Sequence, residues 1–178
     1  WSVTSDEMIL DSTVAFDGGI RAGAVGSTTV VEVDAGSYAL TGGAADGGLQ
    51  LFDLDQAGLA QAGATLGSAA APVAGLQATQ VVDLAGGAQA IFGAVAGTDG
   101  LGCLVLNAAG DVVSTHQTGD TDSSFAAGIT DTTAVTIGTH DYVVAASGTE
   151  NGLTVWQVGA AGALTQTDAM GTLDGLWV

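Results

Sequence analysis

Asn151-Gly152-Leu153-Thr154-Val155-Trp156-Gln157-Val158 runs on into Gly159-Ala160-Ala161-Gly162-Ala163-Leu164. The Asn-Gly pair is favoured where a hairpin needs φ > 0. The six residues after it are apolar or β-forming and of strand length. Fifty-two residues earlier stands Asp99-Gly100-Leu101-Gly102-Cys103-Leu104-Val105-Leu106 with Gly110 behind it. A further 52 residues back stands Gly48-Leu49-Gln50-Leu51-Phe52-Asp53-Leu54 with Gly58. A long fixed period means an array of equivalent supersecondary units, and that governs every other reading of the chain.

Working outward, each unit gains three more strands. Tyr38–Gly42, Ala90–Ala94 and Tyr142–Ala146 are β-forming runs ahead of the turns Ala45–Gly48, Gly97–Gly100 and Thr149–Gly152. Further upstream lie Thr28–Val33, Thr79–Leu84 and Thr132–Ile137, whose spacing wanders by one residue, as insertions in a hairpin loop do. After the glycine turns come segments at about Leu59–Leu66, Asp111–Thr118 and Ala163–Met170. In the central strand Leu101/Cys103 occupy one face and Leu104/Leu106 the other, with Leu153/Val155 and Trp156/Val158 repeating the arrangement. A strand apolar on both faces is expected to be covered on both.

Four antiparallel strands per unit, short turns and no helix predict an all-β fold, a β-propeller of four-stranded blades whose two faces pack on neighbouring blades. A β-helix is a weaker reading, since its coils repeat at shorter intervals. The repeats are expected at about 28–75, 76–128 and 129–178, with residues 1–27 ending a preceding blade and Glu7–Phe16 aligning with its fourth strand. Propellers close with about 4–8 blades. Three blades and an extra N-terminal strand therefore predict an incomplete ring, completed by a second copy or by other chains.

Composition limits the partners. Nineteen carboxylates face one cation, Arg21, for a net charge of −18. Such a chain repels phosphate backbones and anionic membrane surfaces, which excludes nucleic acid as a partner. The mildest apolar stretch, Ala60–Ala78, is interrupted by Gln61, Ser68 and Pro72 and predicts no membrane insertion. Cys103 is the only cysteine, so no intrachain disulfide forms. The absence of lysine is compatible with secretion. The chain begins at Trp1 without a charged and apolar leader, as expected where a leader has been removed or the chain is part of something longer.

The segments Asp99–Gly110 and Asn151–Leu164 resemble the blades of lactonase-like propellers, in particular those of secreted bacterial proteins that also carry repeats-in-toxin calcium-binding arrays. The shared pattern is approximately (D/N)-G-L-x-h-aromatic-x-h-x-x-x-G-x-L, with h apolar. The resemblance implies a propeller in an extracellular or cell-surface bacterial setting. Two departures weaken any implied catalysis. The nonapeptide GGxGxD is absent, Gly42-Gly43-Ala44-Ala45-Asp46 lacking its second glycine position, and one arginine is too little charge for a lactonase-type centre.

A propeller opens its second turns and its blade-to-blade loops on one face. That gathers Asp46, Asp99 and Glu150 with Asp120, Asp122 and Asp174, carboxylates that suit Ca²⁺, a hard cation taking six to eight oxygens. The simpler expectation is that these acids serve exposed turns. Val73, Phe125 and Trp177 fall at equivalent loop positions, with Arg21 at the fourth, either plugging between blades or lining a ligand ring. Asp46, Asp99, Glu150, Asp120, Asp122, Phe125 and Trp177 are thus the candidate ligand-binding residues. His116 and His140 fall on opposite sides and are read as surface residues, and Cys103 as a small core hydrophobe. The expected function is a noncatalytic extracellular module for protein interaction or structural assembly. The alternative is a lactonase-like, divalent-cation-dependent hydrolase working at an acidic channel mouth.

Overall fold

A computed structural model describes residues 2–3, 8–9, 25–43, 49–54, 60–61, 76–95 and 97–171 of the chain. β1 (Ser2–Val3) and β2 (Met8–Ile9) form a two-stranded antiparallel pair, so the described part of the 7–16 segment pairs with its own N-terminal neighbour. The remainder of that segment lies outside the described residues.

Three four-stranded antiparallel sheets follow, each built from consecutive hairpins. The first holds β3 (Val25–Val33), β4 (Gly36–Gly43), β5 (Leu49–Asp53) and β6 (Ala60–Gln61). The second holds β7 (Leu76–Asp83), β8 (Gln89–Val95), β9 (Leu101–Leu106) and β10 (Val112–Gln117). The third holds β11 (Ile129–Ile137), β12 (His140–Ser147), β13 (Gly152–Val158) and β14 (Leu164–Gly171). The described residues contain no α-helix, only two single 3-10 turns at Ala85–Gly87 and Ala160–Gly162. The fold is the all-β arrangement expected from the repeat: blade-like sheets without a closed ring.

The first strand of each sheet lies toward its neighbours. Ser27 Oγ of β3 donates to the Leu76 carbonyl of β7 at 2.7 Å, and Thr132 Oγ1 of β11 donates to the Ala78 carbonyl of β7. All three strands carry a register shift near their start, between Val25 and Ser27, Gln77 and Gln80, and Ile129 and Asp131. A bulge there bends the strand and increases its twist, so the sheets can lean on one another at an angle.

The middle sheet shows why both faces of a central strand are apolar. Every residue of β8 and β9 is buried. Ile91, Leu104 and Leu106 join Val31, Leu40 and Leu51 of the first sheet in one core. Phe92, Leu101 and Cys103 join Val143, Ala145 and Trp156 of the third sheet in another. Adjacent residues of one strand thus enter different cores, as the period of two requires. Each fully buried Leu, Ile or Phe contributes about 1.5–3 kcal/mol relative to exposure.

Polar links fix the spacing between sheets. Gln89 of β8 accepts the Glu32 amide at 2.8 Å through Oε1 and donates to Asp83 Oδ1 at 2.5 Å through Nε2. The turn between β3 and β4 reaches the turn after β9, Ala35 N donating to Ala108 O at 2.9 Å. On the other side Ser114 Oγ and His116 Nε2 of β10 lie 3.2 and 2.9 Å from the Ala161 carbonyl of the turn after β13. The turns after β9 and β13 therefore dock on the preceding sheet.

That docking accounts for one of the periodic glycines. Gly162 has φ = 76°, and a Cβ placed on it would come within 2.6 Å of Val105 Cγ2 and 2.8 Å of Cys103 Sγ. Gly138, in the turn between β11 and β12, has a comparable φ of 67° with nothing within 4 Å of such a Cβ. Alanine at Gly138 meets the left-handed penalty alone, about 1–2 kcal/mol. Alanine at Gly162 adds overpacking, typically about 1–3 kcal/mol more. Urea unfolding of Gly162→Ala and Gly138→Ala is expected to show the larger loss at Gly162; equal losses would mean the turn does not dock as described.

Candidate functional site

The connection from β10 to β11, residues 118–128, carries the chain from the middle sheet to the third. It passes over the turns that join β8 to β9 and β12 to β13, the side on which the sequence places its carboxylates. The hydrogen bonding there is dense. Ala126 N donates to Asp120 Oδ1 at 3.0 Å, Ala127 N to Glu150 Oε2 at 2.9 Å, and Gly128 N to Asp99 Oδ1 at 3.2 Å. Three successive amides thus meet three different carboxylates, one from the loop itself and one from each neighbouring turn.

The carbonyls of the same three residues are also paired. Ala126 O accepts from Gly100 N at 2.9 Å, Ala127 O from Ser147 Oγ, and Gly128 O from Gly148 N at 3.1 Å. Backbone polar groups near a core must find partners, and carboxylates are the strongest acceptors available. The two turns supplying them belong to different sheets, so the segment 126–128 ties the middle sheet to the third. Upstream the loop is braced internally: Thr121 N donates to Ser124 Oγ at 2.8 Å, and Ser124 Oγ lies 3.2 Å from Asp120 Oδ1.

Phe125 is half-buried beside this clamp, its amide donating to Thr154 Oγ1 at 2.8 Å. Its ring lies against Gly152 and Gly171, which face each other in the register of β13 and β14. A Cβ on Gly152 would fall on the ring at Cγ, and one on Gly171 at Cζ, so both positions require glycine. Of the two roles open to Phe125 in the sequence, the structure shows a ring seated on the third sheet.

The structure brings Asp99, Glu150 and Asp120 together around 126–128, while Asp122 is exposed in the same loop. Asp46 and Trp177, with Asp174, Val73 and Arg21, lie outside the described residues. Among the described residues no group of three or more His, Cys, Asp or Glu side chains is arranged to hold a metal ion. A cavity of about 410 Å³ opens beside the clamp, lined in part by Gln77, Thr98, Asp99 and Gly128. Among the described residues that line it, the carboxylate is Asp99, which already accepts the Gly128 amide.

His116 is half-buried on β10 and turned to the Ala161 carbonyl, whereas His140 is exposed, 6.5 Å from the Tyr142 ring between centroids. Cys103 is fully buried, and desolvation pushes its thiol up to about 12, leaving it neutral and unreactive near neutral pH. Sequence reasoning did not identify Ser147 and Thr154 as partners of the loop. Their signal is the hydroxyl itself: they stand where the repeat has Val95 and Gly102, and Thr154 is fully buried in a strand whose other inward residues include Trp156 and Val158. A buried hydroxyl implies a partner.

No protein-family model matches the chain, and no curated protein matches it.

The clamp makes a local expectation. In Glu150→Ala the Ala127 amide loses its acceptor, and hydrogen bonds to charged groups are worth about 1.5–3 kcal/mol. Amide exchange at Ala126, Ala127 and Gly128 is expected to accelerate at least about tenfold, with Asp122→Ala leaving it unchanged. Unchanged exchange in Glu150→Ala would show that the carboxylate does not hold the loop.

Proposed function

We propose that this chain is a noncatalytic β-propeller section of an extracellular or cell-surface bacterial protein, and that its work is to bind or present a partner within an assembly. One observation carries the reading: the third sheet has an apolar face of the kind the middle sheet buries, and no described sheet packs on it. Leu153 and Val155 are half-buried where Leu101 and Cys103 are fully buried, and Val135 and Ile137 on the same sheet are 43% and 63% exposed. An apolar sheet face in water is an interaction surface when it is contiguous. The arrangement of the acids supports the same reading, since Asp99, Glu150 and Asp120 hold backbone amides.

The extracellular setting rests on the blade pattern of Asp99–Gly110 and Asn151–Leu164 and on a composition with 19 carboxylates and no lysine. The test is calorimetric titration of the chain with Ca²⁺, followed by assay against simple lactones with and without the ion. The expected result is neither lactone hydrolysis nor a Ca²⁺-dependent rise in melting temperature. Hydrolysis that requires Ca²⁺ and is abolished by Asp120→Asn would replace this reading with a cation-dependent hydrolase.

A further inference from the structure

The three sheets repeat one another closely, but the bulges in their first strands do not fall at the same step. In β3 the shift lies between the partners Gly43 and Gly42, and in β11 between Ser147 and Ala146. In β7 Leu76 and Gln77 pair in step with Val95 and Ala94, and the shift comes one step later, opposite Gly93. Gly93 stands where the repeat has Thr41 and Ala145. A Cβ on it would lie 2.7 Å from the Gln77 carbonyl oxygen and 3.1 Å from Thr79 Cγ2, so glycine is required for this bulge to close onto β8.

The displaced bulge is held in a costly conformation. Ala78 has φ = 48°, in the left-handed region. Among the described residues the other non-glycine positions of this kind, Asn151 and Ala161, lie in turns rather than in a strand. The third sheet fixes Ala78 there, since the buried Thr132 donates through Oγ1 to the Ala78 carbonyl. Non-glycine residues kept left-handed by their surroundings cluster at ligand clamps and switch regions.

The residue that this bulge positions is Gln77. It lines the cavity of about 410 Å³ beside the clamp, with Thr98 and Asp99 of the turn between β8 and β9. Asp99 accepts the Gly128 amide through Oδ1, and its Oδ2 accepts nothing among the described residues. The half-buried Gln77 side chain likewise has no partner among the described residues. Thr98 Oγ1 accepts from Gln117 Nε2 at 3.2 Å and keeps a second lone pair. Ala94, Val95 and Ile129 complete the wall with apolar surface.

We infer that this cavity binds a primary ammonium group carried on a short aliphatic stem, with Asp99 as its counter-charge and Gln77 as a further acceptor. The inference rests on the partner-binding role proposed above and names the chemistry by which the partner is held. Charge selects a cation: Asp99 is the charged residue of the described lining, and a net charge of −18 repels anions. A hard metal ion needs six to eight oxygens, and no acidic cluster among the described residues supplies them. A guanidinium pairs best with both oxygens of a carboxylate, and here one is already taken. An ammonium is a compact charge with three donors, matched in number by Asp99 Oδ2, Gln77 Oε1 and Thr98 Oγ1. The volume is near the lower end of the range for ligand pockets, about 300–1,000 Å³, which suits one charged head and its stem. The stem would lie on Val95 and Ile129 as lysine stems lie on apolar surface.

The experiment is an NMR titration of the chain with butylammonium and with Nα-acetyl-lysine N-methylamide, the free and the peptide-borne form of one head, and with butanol as the neutral control. Saturable shifts are expected at the amides of Thr98, Asp99, Gly100 and Gly128 and at the Gln77 side chain, at millimolar concentration or below, with none from butanol. Asp99→Asn keeps an oxygen for the Gly128 amide but removes the charge, and is expected to weaken binding at least about tenfold, as loss of a charge-assisted hydrogen bond implies. Gln77→Ala is expected to weaken it as well, and Asp122→Asn, exposed and outside the cavity, to leave it unchanged. Each variant is checked for an unchanged thermal transition, and Gln77→Ala carries the test if Asp99→Asn fails that check. Tighter binding of the blocked lysine supports the site with a partner chain as the source, and tighter binding of butylammonium supports it with a free amine. No saturable binding of either would overturn the inference. So would an equal loss in Asp122→Asn, which would show diffuse attraction to an acidic surface. None of these results bears on the Ca²⁺ and lactone test, so the two readings fail separately.

Discussion

A four-stranded antiparallel sheet with apolar side chains on both faces is stable in water only if something covers each face, and this requirement organises the whole chain. The middle sheet meets it within the chain, with every residue of β8 and β9 buried between the other two sheets. The first and third sheets each meet it on the face that covers the middle one. The periodic glycines, the bulges at the start of β3, β7 and β11, and the turn that docks through Ala161 all allow neighbouring sheets to come close at a consistent angle. Removing any of these does local damage, but uncovering a face removes the reason for the sheet to form.

The second element is the loop that carries the chain from one sheet to the next. A loop running over packed sheets must satisfy its own backbone, and at residues 126–128 this one pairs three N–H groups and three carbonyls in succession. The N–H groups all go to carboxylates, which gives part of the acidic composition a structural purpose. Asp99 and Glu150 come from turns of different sheets, so the clamp acts across the interface that Phe92 and Trp156 fill from within. Apolar burial and charge-assisted hydrogen bonding thus hold the same pair of sheets at different depths.

Much of the fold was legible in the sequence because its signal is periodic. Leu101/Cys103 and Leu104/Leu106 alternate within one strand, and the structure sends them to two different cores as that alternation requires. The candidate site was legible only in part. The topology placed Asp99, Glu150 and Asp120 on one side, yet what each carboxylate binds depends on backbone amides whose positions no residue type announces. Ser147 and Thr154 escaped for the same reason, since a hydroxyl in a strand becomes informative only once its burial is known. The turn at Asp99-Gly100 is also wider than a two-residue hairpin, because Gly100 turns its amide to Ala126 as part of the clamp.

If coverage of both faces governs stability, protection should differ between strands that have nearly the same sequence pattern. Native-state hydrogen exchange on dilute chain, followed strand by strand, tests this most directly. The account predicts that β8 and β9 exchange slowest, at the rate of global unfolding, with β12 and β13 of the third sheet, which the described residues cover on one face, measurably faster. Exchange in β12 and β13 as slow as in β8 and β9 in the monomeric chain would contradict it.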